Sequence, residues 1–97
     1  MLVKLTEVCA NGAVTTQQQY TLREILVNPE HVIMIREEGY MRQLNEQNLI
    51  APGLNSNHGF SKLTINKGHT GTDIVVVGYP TIIEDILRQE KKGLLKG

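Results

Sequence analysis

A mainly β fold with one α-helix near its carboxyl end is predicted by three features of the 97-residue sequence. Its apolar residues gather in short runs of Ile, Leu and Val bounded by Asn, Gly and Pro, with no Trp and a single Phe. Several of these runs alternate with polar residues at the two-residue period of a half-buried strand. The stretch after Pro80 instead places Ile82, Ile83, Ile86 and Leu87 on one helical stripe. A chain of this size supports one modest core, so residues 1–97 are expected to form a single domain.

The first strand is expected over about residues 1–10, where Val3 and Leu5 alternate with Lys4 and Thr6. Asn11-Gly12 follows, the dipeptide best suited to the positive φ angles of a tight hairpin turn. The return strand is placed at about 18–27. Thr21-Leu-Arg-Glu24 has the spacing of a helix capping box, so a short helical turn competes with it there. Asn28-Pro29 breaks the run, since Pro lacks an amide hydrogen and drives the preceding residue out of helical space. Residues 31–37 resume alternation with Ile33 and Ile35 on one side and Val32 and Met34 on the other, the mark of a central strand.

Residues 38–60 are rich in Asn and Gly and read as a long loop, a length uncommon in compact domains unless the segment is functional, disordered or partly ordered by a partner. Strands over about 61–67 and 72–78 flank a turn at Gly68 to Gly71, and Ile74 to Val77 is apolar on both faces. A helix is predicted over about 81–92. Thr81 and Glu84 form a capping box, Glu84 and Asp85 suit the positive end of the helix dipole, Arg88, Lys91 and Lys92 suit the negative end, and Gly93 offers a stop.

Ten basic residues balance ten acidic ones, so no global field draws the chain to nucleic acid or an anionic membrane. Any polyanion contact must come from a local patch. A lone cysteine, Cys9, fits a reducing cytoplasm and reads as a small buried hydrophobe. No leader-like segment and no apolar run of membrane-spanning length is present, so the expected place is the cytoplasm. His31, His58 and His69 share no metal-ligand spacing, and no phosphate loop, dinucleotide fingerprint or nucleophile motif occurs. The expectation is a protein that is not an enzyme and has no metal and no cofactor.

Two polar groups are candidates for nucleic-acid contact. Asn66, Lys67 and His69 around Gly68 put an amide, a cation and an imidazole on one turn, a set suited to phosphate and base edges. Tyr40, Arg42, Asn45 and Asn48 offer a stacking ring, a guanidinium and two amides. The plainer reading of each is a hairpin tip and a solvated loop, since Asn and Gly favour turns for conformational reasons. The basic stretch from Arg88 to Lys96 is most simply a solvated helix terminus.

The layout resembles two families. Val3-Lys4-Leu5-Thr6, Leu26 to Ile33 with its Asn28-Pro29, and Asp73 to Leu87 are similar to the small flagellar-operon proteins of the FlbD type. The strand pattern also resembles the Sm-like proteins (Sm, LSm and Hfq), in the form carried by marine cyanophages. Asn45-Glu46-Gln47-Asn48-Leu49-Ile50 is similar to that family's first motif, and Asn66-Lys67-Gly68-His69 occupies the turn of its second. The family's Arg-Gly is missing, and a carboxyl-terminal helix replaces its usual amino-terminal one. The Sm resemblance implies a small, strongly bent five-stranded β-barrel with a C-terminal helix, assembled as a homo-oligomeric ring that binds single-stranded RNA or DNA. The alternative is a non-enzymatic protein-interaction or assembly subunit in a phage or flagellar setting.

Overall fold

The structure, a computed structural model, describes residues 2–10, 20–47, 50, 54–55, 57–68 and 70–96, with 67 and 90–96 described as backbone only. In chain order the elements are β1 (Val3–Ala10), β2 (Tyr20–Val27), a 3-10 turn (Pro29–His31), β3 (Val32–Glu37), α1 (Gly39–Glu46), β4 (Phe60–Lys67), β5 (Thr70–Val77) and α2 (Pro80–Lys96). The Asn11-Gly12 turn lies outside the described residues. Over 20–27 the strand prevails against the capping box, because β2 pairs with β1 along its whole length, from Val3 opposite Val27 to Ala10 opposite Tyr20.

All five strands join in one antiparallel sheet of order β2-β1-β5-β4-β3. The mainly β class is as the sequence predicts, but the sheet is not closed into a barrel: β2 and β3 are its two edges. The connection between them is tight, since the Asn28 side chain accepts from the Glu30 amide at 3.0 Å, the Asn28 carbonyl accepts from the His31 amide at 3.0 Å, and Pro29 is buried. What replaces closure is α2. Ile83 and Leu87 lie on one face of the sheet with Val3, Leu5, Val27, Leu63 and Val76, and Ile86 packs beside them. A sheet whose apolar face is covered by a helix has no need to curl onto itself.

Neighbouring residues in each strand point to opposite faces, so Val8, Phe60, Val75 and Val77 form a second cluster on the other face, with Ile50, Met41 and Leu44. This explains the doubly apolar 74–77 run: β5 is a central strand covered on both sides by its own chain. β3, read from sequence as central, is an edge. Its ladder with β4 slips between Val32 and Met34, so Ile33 is the extra residue of a β-bulge. The bulge puts Val32 and Ile35 on the α2 face, opposite Ile65 and Leu63, and leaves Ile33 63% and Met34 46% exposed.

Two helix boundaries also differ from the sequence reading. α1 occupies the first third of the expected loop, with the Glu38 carboxylate accepting from the Tyr40 amide at 3.3 Å. Met41 and Leu44, one turn apart, are its apolar anchor, too short a signal to stand out in an Asn-rich stretch. The chain enters α2 through the Tyr79 carbonyl, which accepts from the Ile82 and Ile83 amides at 3.0 Å each, with Pro80 in the first position. Thr81 therefore lies inside the first turn, and the helix continues past Gly93. Among the described residues no helix is long and apolar enough to cross a membrane.

Candidate functional site

The candidate contact residues divide between the two ends of β4. Asn66 and Lys67 sit at the tip of the β4–β5 hairpin, opposite Gly71 and Thr70, where Gly68 takes a φ of 84° that a side chain would resist. Asn66 is exposed; the Lys67 side chain, His69 and Asn48 lie outside the described residues. α1, with Tyr40, Arg42 and Asn45, follows β3 at the other end, where the Glu38 amide donates to the Phe60 carbonyl at 2.8 Å. Phe60 and Lys67 are seven residue steps apart along β4, roughly 23 Å at about 3.3 Å per step. Among the described residues, Asn66 and the α1 residues Tyr40, Arg42 and Asn45 therefore do not converge on one site within a protomer.

Their side chains differ in availability as well. Tyr40 is exposed. Asn45 is fully buried, and its amide Nδ2 donates to the Asn55 carbonyl at 2.8 Å, fastening the passage from α1 to β4. Arg42 is held by Glu37 at 3.3 Å and lies 3.9 Å from Glu46.

That pattern extends over the whole described surface. Lys4 pairs with Glu24 (4.0 Å), Arg23 with Glu7 (3.0 Å), Arg36 with Asp73 (3.8 Å), Lys62 with Glu38 (3.3 Å) and Arg88 with Glu84. Every Lys or Arg side chain among the described residues thus has a carboxylate beside it. Solvent-exposed pairs of this kind contribute little stability, but each one cancels the local positive potential a polyanion would seek.

Cys9 is not an activated thiol. Burial pushes its pKa up, and the Glu7 carboxylate nearby adds to that. Among the described residues no three His, Cys, Asp or Glu gather as a metal set.

The surface feature the sequence reading missed is the outer edge of β3. Ile33 and Met34 project there beside a groove of about 320 Å³ between β3 and α2. Ile35 and Leu87 line the groove, and Glu84 and Arg88 border it. The signal was present in Val32-Ile33-Met34-Ile35, a run with no polar position, but such a run reads equally as a strand buried in the sheet. An edge strand normally carries charges that discourage pairing; this one carries them only at Arg36 and Glu37. No family, no curated protein and no solved structure matches this chain.

Proposed function

We propose that the chain is a non-enzymatic assembly subunit that works by protein–protein contact through the outer edge of β3 and the adjoining α2 groove. The observation that carries this reading is the contrast between two parts of the surface. The described cations are all neutralised by carboxylates, whereas Ile33 and Met34 stand exposed on an open strand edge. Unsatisfied backbone groups beside exposed apolar side chains are what an incoming strand recognises.

The rival reading, a ring binding single-stranded RNA or DNA, rests on Asn66, Lys67 and His69 repeated around an axis. Fluorescence anisotropy with labelled oligo-U, oligo-A and oligo-dT at two salt concentrations separates the two. Protein-contact function predicts no saturable binding at low salt. Saturable binding that weakens steeply with salt, and that Lys67→Ala reduces for all three oligonucleotides, overturns the proposal, because released counterions report phosphate contact.

A further inference from the structure

Resting on that reading of the β3 edge, we infer that its occupant is a second copy of this chain, paired β3 to β3 in a two-fold symmetric dimer. Strand order supplies the first argument. Five antiparallel strands leave β2 and β3 running in the same direction at opposite edges. In a continuous sheet, β3 of one copy therefore meets β2 of another in parallel. A two-fold axis perpendicular to the sheet sets β3 antiparallel to itself and keeps the α2 face of both copies on one side.

Side chains then choose the register. Opposed residues must share a face, so the axis passes through a residue rather than between two. Centring on Arg36 would oppose two guanidinium groups, and centring on Met34 would set the Ile33 bulge directly beside the axis, whereas centring on Ile35 moves it to the end of the ladder, opposite Glu37 of the second copy. Centring on Ile35 opposes Ile35 to Ile35 on the α2 face. On the other face it lays Met34 along the Arg36 stem of the second copy, while Asp73 keeps the Arg36 charge balanced.

The groove supplies the charge complementarity. Glu84 and Arg88, one helical turn apart on α2, border the same groove that Ile35 lines. An axis through Ile35 sets one border against the inverted copy of itself. An acid and a base in that position face a base and an acid, so the border complements its own image.

Sedimentation equilibrium of the full chain at about 100 μM, enough to populate a contact with a Kd on the order of 10 μM, tests the dimer. The parent is expected as a dimer. Glu84→Arg and Arg88→Glu each set like charges across the axis and weaken self-association roughly tenfold. An equimolar mixture of these two variants restores a heterodimer, since one copy is then doubly basic and the other doubly acidic at the border. A contact in which Glu84 and Arg88 served only each other would not be rescued by mixing. Met34→Lys, at an exposed position, sets a cation opposite Arg36 of the second copy and is expected to give monomer, and Leu26→Lys on the β2 edge a dimer like the parent.

A monomeric parent, a larger closed particle, loss of the dimer in Leu26→Lys, or failure of the mixture to associate each overturns the proposal. The oligonucleotide titration fails independently of all four. A monomer without oligonucleotide binding removes only the dimer, whereas salt-sensitive oligonucleotide binding removes the protein-contact reading itself.

Discussion

If α2 substitutes for barrel closure, stability should depend on which side of that helix is cut back. Ile83 is 1% exposed and lies among Val3, Leu5, Val27, Leu63 and Val76, while its neighbour Ile82 is 52% exposed. Ile83→Ala removes the same atoms as Ile82→Ala but leaves a cavity between helix and sheet. Such truncations cost about 2–5 kcal/mol, and a site enclosed on all sides belongs near 3–4 kcal/mol. Against a total stability of about 5–15 kcal/mol for a chain of this length, that is a large fraction. At roughly 4–8 °C per kcal/mol, even 3 kcal/mol lowers Tm by about 12–24 °C. Ile82→Ala should stay within about 0.5 kcal/mol, since Ala is the better helix former and little packing is lost. Urea denaturation of parent and both variants, with unchanged m-values, measures the difference. Equal costs at the two positions, or less than about 1 kcal/mol at Ile83, would refute the idea that α2 closes the sheet.

Asn45→Ala removes the amide that holds the Asn55 carbonyl and should destabilise by about 1–3 kcal/mol in the same urea assay. A parent-like midpoint would show that the passage from α1 to β4 is held by other contacts. Gly59→Ala would drive a Cβ into the Tyr79 ring and should cost about 1–3 kcal/mol, most of it recovered in Gly59→Ala with Tyr79→Ala. Additive losses in that double-mutant cycle would locate the strain elsewhere. For Cys9 the sign follows from its raised pKa: the folded state holds the thiol proton more tightly than the unfolded one. Its contribution is therefore complete below the ordinary thiol range and is lost as pH rises through the folded value. Stability measured against alkaline pH should fall less steeply in Cys9→Ala than in the parent; parallel curves would contradict the shift.

The amino-acid sequence determined by itself the features that local chemistry controls. Alternation placed β1 and β4, an unbroken apolar run after a turn placed β5, Gly68 marked the turn between the last two, and the Ile82 to Leu87 stripe marked α2. These signals are local because each side chain's direction follows from the period of its own element. α1 escaped notice because two apolar residues one turn apart become a helix anchor only when Phe60 and Ile50 arrive to pack on them. The role of β3 was decided by tertiary structure, since an unbroken apolar run is compatible with a central strand or with an edge, and strand order selects between them. Sheet closure was decided in the same way, by α2 covering the face a barrel would have turned inward. Surface charge shows the limit most directly. Ten cations counted along the chain leave a local basic patch open, but Glu7 reaches Arg23 across the β1–β2 ladder and Asp73 on β5 reaches Arg36 on β3 across the intervening β4. Pairings between residues so far apart in sequence exist only once the sheet has set its register, because Coulomb attraction acts through space and not along the chain.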